Sequence, residues 1–208
     1  MTGTTTDART YVYDAPHPHA FTRAEVGWVP WLEPFPEDEL TERHHAGLVD
    51  RSRASSDYFR LLVRDPEILR ARTLVDKDIF YNVGEGLPRA ERELAAAAAS
   101  RVNGCVFCAS VHARFAAHYS KRADLVDLLL DEGISAELGE RWDAIVAAAA
   151  ALTATPIAFD AVHVERLRAA GLDDLEISDV IHGAAFFNWA NRLMLSIGRP
   201  VAPAAETP

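Results

Sequence analysis

From Glu37 onward the apolar and polar residues of this chain recur with the period of helices, and no run alternates between turns as a half-buried strand would. "EDELTERHHAGLVDRSR" opens this part, and "SSDYFRLLVRDPEILRARTLVDKDIFYN" forms one or two helices around Pro66. "GLPRAERELAAAAASRV" has Pro88 near its first turn and acidic residues early, and it stops at Asn103-Gly104. "CVFCASVHARFAAHYS" is the next helix, "RADLVDLLLDEG" closes at Gly133, and "SAELGERWDAIVAAAAALTATP" ends before Pro156. "DAVHVERLRAAG" closes at Gly171, and "SDVIHGAAFFNWANRLMLSIG" starts from Ser178 as its cap and ends at Gly198. The pattern predicts an all-α fold, a helical bundle of about seven to nine helices spanning residues 39–208. Residues 1–38 are polar or Pro-rich and predict an extended N-terminal arm. Trp28, Trp31 and Phe35 are available to pin that arm onto the body or onto a neighbouring subunit.

Two helices are rich in alanine, whose small side chain lets helices approach closely and whose helix propensity is the best available. The last helix is apolar nearly all round its first three turns, through Val180, Ile181, Ala184, Ala185, Phe186, Phe187 and Trp189. Such a helix needs burial on every side, in the middle of the bundle or in a subunit interface, so a homo-oligomer is expected. Asn188, Asn191 and Arg192 on the same helix need polar partners, Arg192 a carboxylate or a backbone terminus. Structural roles are expected for them, with substrate binding as the alternative.

Composition narrows the class. The chain has 208 residues, enough for one domain with an arm. Its 21 basic against 31 acidic side chains give a net charge of −10 without any basic cluster, which disfavours nucleic acid as a partner. The N-terminal stretch has neither the basic nor the apolar region of a cleaved leader. The most apolar span, from Ala144, contains Pro156 and is too short to cross a bilayer comfortably. A cytoplasmic protein without a membrane partner is expected. There, two cysteines three residues apart point to catalysis or metal binding before a structural staple.

Cys105 and Cys108 are the only cysteines, and His112 follows them. On a helix the two cysteines lie about 60° apart and His112 returns to within about 20° of Cys105, so all three share one stripe. Cys105 comes straight after Asn103-Gly104, which puts the CxxC at a helix N-terminus, where free N–H groups and the dipole favour a thiolate. His112 can take or deliver a proton. Three readings stay open on the residues alone. The pair can be redox-active, oxidised to a sulfenic acid and closed into a disulfide ring. It can bind zinc with His112 and a fourth ligand from Glu93, His118 or His182. It can also be two small buried hydrophobes beside a core histidine.

"ERELAAAAASRVNGCVFCASVHARF" resembles the signature of the alkylhydroperoxidase D / carboxymuconolactone decarboxylase superfamily, on its peroxidase-related side. Glu93, Cys105, Cys108 and His112 match that signature position by position, and the likeness extends over about residues 55–200, leaving the Pro-rich arm unmatched. The resemblance implies that Cys108 is the peroxidatic cysteine. Cys105 would then be the proton donor and resolving partner, with Glu93 and His112 completing a proton relay. It further implies a hydroperoxide substrate, no resident cofactor or metal, and regeneration by an external dithiol or lipoyl-type reductant protein. Phe107 stands where the best-known alkylhydroperoxidase has a histidine, which favours the peroxidase-related branch.

The expected activity is that of a thiol-dependent peroxidase acting on hydrogen peroxide or organic hydroperoxides. The alternatives are a decarboxylase or isomerase using His112 and Glu93 as acid and base, or a redox-sensing or metal-binding module. Elsewhere, His44-His45 reads as a solvated pair and His17 and His19 as exposed in the arm. His182 reads as a core histidine or part of a pocket facing the cysteines, and Trp142 as a core anchor.

Overall fold

The structure is a computed structural model that describes residues 18, 20–82 and 84–202. Residues 1–17, with His17, lie outside it, as does His19. Among the described residues the chain forms nine α-helices: α1 Glu42–Leu48, α2 Asp57–Leu62, α3 Pro66–Tyr81, α4 Arg89–Val102, α5 Val106–Ser120, α6 Ala123–Glu132, α7 Glu140–Thr153, α8 Ala161–Ala169 and α9 Asp174–Ile197. The fold is all-α apart from one two-stranded antiparallel ribbon, β1 Gly27–Pro30 with β2 Gly198–Val201. No helix among the described residues is long and apolar enough to cross a membrane.

The ribbon is absent from the hydrophobic pattern because each strand is four residues long and each contains a proline. Tertiary pairing makes it: Trp28 sits edge-on to Tyr58 with ring centroids 5.6 Å apart, and Gly198 leaves room for the Trp28 ring. A Cβ at Gly198 would fall 2.1 Å from that ring, so glycine is needed there for close approach. The backbone at Gly198 is extended and not left-handed, so it does not end α9 in the manner of a helix stop.

Helix α4 is the centre. Ala95–Ala99 are completely buried, and the short side chains let α5, α7 and α9 close onto α4 from different sides. Arg92 anchors its N-terminal half by donating to the carbonyls of Leu87, Ile79 and Glu85 and pairing with Asp179 of α9 at 2.8 Å.

Three helix boundaries or faces depart from the sequence reading. Helix α9 begins one turn before Ser178, because Asp173 accepts the backbone N–H of Glu176 while the Glu176 carboxylate accepts that of Asp173, a reciprocal cap stronger than a lone serine. Helix α7 begins at Glu140, since Gly139 takes a left-handed φ of +93° and the preceding residues form a short 3₁₀ turn at Gly133–Ser135. Helix α9 is also not enclosed on every side within the chain: Leu175 is 47% and Trp189 44% exposed. Trp142 is half-buried and packs against two apolar clusters.

Candidate active site

Helices α4 and α5 form an antiparallel hairpin across Asn103-Gly104. Gly104 makes the break possible with a φ of +74°, a conformation glycine adopts without strain and for which its surroundings leave open space. Cys105 becomes the N-cap of α5 and Cys108 lies in its first turn. With a rise of about 1.5 Å per residue, the hairpin brings the early turns of α4 level with the second turn of α5. Glu93 and His112 therefore meet: Glu93 Oε2 lies 2.5 Å from His112 Nδ1.

The other Glu93 oxygen accepts the Nε–H of Arg89 at 2.6 Å, and Arg89 also donates to the Phe80 carbonyl. Glu93 is 1% exposed, so a carboxylate deep in the core is held by a guanidinium and an imidazole together. The His112 ring sits between Phe187 and Phe80, with centroids 4.0 and 5.2 Å away. With Nδ1 bound to Glu93, Nε2 is the nitrogen left for proton traffic.

Both cysteines are free thiols. Cys105 is fully enclosed, whereas Cys108 lines a cavity of about 240 Å³ together with Glu93, His112, Phe80, Phe107 and Phe187. The Cys108 Sγ–H lies 3.5 Å from Met194 Sδ. Asn191, completely buried, sits beside both sulfurs and is fixed by donating to Ser100 Oγ at 3.0 Å and accepting from Asn103 Nδ2 at 3.1 Å.

The two thiols are pushed apart in acidity. A hydrogen bond from the Cys108 thiol outweighs burial and, with the N–H groups of Cys108 and Phe107 and the Asn191 side chain, holds Cys105 below the ordinary thiol range. The same hydrogen bond, burial and the charge on Cys105 push Cys108 well above it, with Asn191 and Arg72 acting the other way. The proton the pair retains therefore rests on Cys108. Ultraviolet thiolate titration of the reduced protein is expected to show one ionisation below the ordinary thiol range and one far above it. Cys108→Ala, which removes the first cause of the Cys105 depression, is expected to shift the low ionisation upward. An unmoved low step would show that the helix terminus acts alone.

The four residues singled out from sequence thus come together: Glu93, Cys108 and His112 around one cavity and Cys105 directly behind it. His182 does not join them. It is exposed in a separate cleft with Asp179, because α9 turns that residue away from α5. His118 is exposed too and faces Tyr119. Among the described residues no group of three or more His, Cys, Asp or Glu side chains gathers to hold a metal ion. Arg192 is also exposed and meets no carboxylate, donating instead to Thr155 Oγ1 at 2.9 Å. Asn188 accepts from Asn103 at 3.3 Å, a bond that ties α9 to the hairpin break.

Sequence reasoning missed two arginines. Arg89 carried a signal, its i,i+4 spacing to Glu93 on α4. Arg72 of α3 carried none, since only packing brings it to the cavity wall.

Residues 66–153 match the model of the carboxymuconolactone decarboxylase family. The chain is similar in structure to an alkylhydroperoxidase AhpD core, an uncharacterized peroxidase-related protein from Ralstonia eutropha, with TM-score 0.66, 22% identity, and coverage of 79% of this chain and 90% of that one. A peroxidase-related protein from Silicibacter gives TM-score 0.63 at 22% identity, covering 94% and 93%. The debrominase Bmp8 gives 0.64 at 16% identity, covering 79% and 88%. At these identities the three structures speak for the fold. No curated protein matches the chain. The segment that matches the carboxymuconolactone decarboxylase family runs from α3 through α7 and holds Glu93, both cysteines and His112, so the chain is similar to that family over the residues that build the cavity.

Proposed function

We propose that the protein is a thiol-dependent peroxidase that reduces hydrogen peroxide or small organic hydroperoxides at Cys108. The observation that carries this reading is that the Cys108 thiol and a Glu93–His112 pair line one cavity walled by Phe80, Phe107 and Phe187, with the second thiol immediately behind. Before reaction one thiol proton resides on the Glu93–His112 pair and the other on Cys108. As the Cys108 sulfur attacks the peroxide, Cys105 takes its proton, the O–O bond breaks, and the alkoxide leaves as alcohol with the proton from His112. Cys108 is then a sulfenic acid. The Cys105 sulfur attacks it, and the hydroxyl departs as water with the Cys105 proton. Two thiols and one hydroperoxide have become one disulfide, one alcohol and one water. An external dithiol, a protein or lipoyl-type group, returns the disulfide to thiols as a co-substrate, and no resident cofactor takes part.

The debrominase that shares the fold motivates one rival. The same two electrons can replace a halogen on a flat ring by a proton, releasing halide and leaving the disulfide, and the phenylalanine walls of the cavity suit such a ring. The homo-oligomer expected from sequence is part of the proposal, supported by the exposed Leu175 and Trp189 face of α9.

The test treats reduced protein with one equivalent of cumene hydroperoxide. The expected result is loss of both thiols, a mass decrease of about two units and one equivalent of cumyl alcohol. Free thiols and no alcohol would remove the peroxidase reading. Thiol loss with halide release from a brominated pyrrole, but none with the hydroperoxide, would select the rival.

A further inference from the structure

Arg72 projects from α3 to the wall of the Cys108 cavity, and its side chain is 9% exposed. A guanidinium withdrawn from water this far normally has its N–H groups bonded. Here Nε and Nη1 are buried and have no hydrogen-bond partner. The nearest carboxylate, Asp76 Oδ2, stands 3.7 Å from Nη1, too far for a hydrogen bond. The phenol of Tyr58 interacts with the guanidinium through a hydrogen bond, which leaves Nε and Nη1 as the unmet donors. Beyond these the guanidinium lies against the rings of Phe186 and Phe59, at 5.4 and 5.9 Å, which supply a cation–π attraction but accept no N–H. The other charged groups of the cavity, Arg89, Glu93 and His112, are bonded to one another, whereas Arg72, ion-paired with Asp76, keeps two unbonded donors there and its field is felt at Cys108.

We infer that Arg72 is an anion subsite, and that the protein takes a small substrate with a carboxylate at one end and its reactive group at the other. The carboxylate would complete the hydrogen bonding that the protein leaves unmade, as a charge-assisted pair with the guanidinium. Phe80, Phe107 and Phe187 would cover the apolar body and Cys108 would meet the reactive end. A cavity of about 240 Å³ holds about eight waters' worth of volume, which sets the size to a short chain or single ring. This rests on the proposed reading for the identity of the reactive group, a hydroperoxide, but not for the carboxylate.

Binding and turnover separate the two ideas. Octanoate and octanamide are compared as ligands of the reduced protein by calorimetry and by protection of Cys108 from iodoacetamide. Octanoate is expected to bind at least about tenfold tighter. Arg72→Gln is expected to erase that preference while keeping octanamide binding. Asp76→Asn, which frees Arg72 from its one nearby carboxylate, is expected to enlarge the preference, and it keeps the proposal testable if the arginine variant does not fold. Equal binding of acid and amide, no binding of either, or a preference that survives Arg72→Gln would overturn the subsite. Turnover of a hydroperoxy acid against its methyl ester then reads the same preference in kcat/KM. A protein that binds octanoate through Arg72 yet reduces no hydroperoxide keeps the subsite and loses the peroxidase.

Discussion

Cys108→Ser is expected to reduce hydroperoxide turnover by more than about 10³-fold, the scale on which enzymes lose rate when a covalent nucleophile is removed. That loss corresponds to about 4 kcal/mol of transition-state stabilisation. The reason for placing the effect on Cys108 is access, since it lines the cavity while Cys105 is completely enclosed. Acidity alone would choose the other sulfur, because Cys105 is the one held below the ordinary thiol range. The two facts fit together when Cys105 acts as the base that relieves Cys108 of its proton and afterwards as the resolving thiol. Cys105→Ser is therefore expected to block the cycle at a different place, permitting one slowed oxidation and trapping a sulfenic acid on Cys108 that dimedone labels. Dimedone labelling of Cys105 in the Cys108→Ser protein, with one alcohol formed per chain, would reverse the assignment.

The second large effect is expected at Glu93. Its carboxylate is buried, accepts from Arg89 at 2.6 Å and lies 2.5 Å from His112 Nδ1. Glu93→Gln keeps the shape but removes the charge that both partners face, leaving the Arg89 guanidinium, 11% exposed, without its counter-ion. Breaking a buried pair in this way costs on the order of 3–5 kcal/mol, to be read from denaturant unfolding. Hydroperoxide turnover is expected to fall by about 10²–10⁴-fold, the range for loss of a positioned proton carrier. Stability loss alone would leave the folded fraction active, so turnover is measured where the variant is fully folded. The double variant Glu93→Gln/His112→Gln distinguishes a relay from two separate supports. If the pair acts as one unit, the double loss is no larger than the worse single loss. Fully additive losses would mean that Glu93 merely holds the helix hairpin together.

The sequence by itself determined the elements and the chemistry that is local along the chain. The period of apolar positions dictated an all-α fold, and Asn103-Gly104 dictated a break that puts Cys105 at the cap of α5, because glycine alone takes that turn freely. The CxxC spacing placed both sulfurs and His112 on one stripe, and the glutamate twelve residues ahead of Cys105 was legible through the family signature. What the tertiary structure decided is everything that depends on contacts between distant helices. The ribbon of β1 and β2 exists because the Trp28 ring packs over Gly198, a contact between opposite ends of the described chain that leaves no periodicity in either strand. Ser178 looked like a cap until the reciprocal pair of Asp173 and Glu176 took that role, and His182, apparently buried by its apolar neighbours, faces outward. The acidity order of the two cysteines needed the hydrogen bond between their sulfurs, with Asn191 lowering both, and Arg72 reached their cavity from α3 with no motif to announce it. Local spacing fixes which groups share a helix face. Only packing fixes which faces meet, how far water is excluded between them, and which donors are left there unbonded.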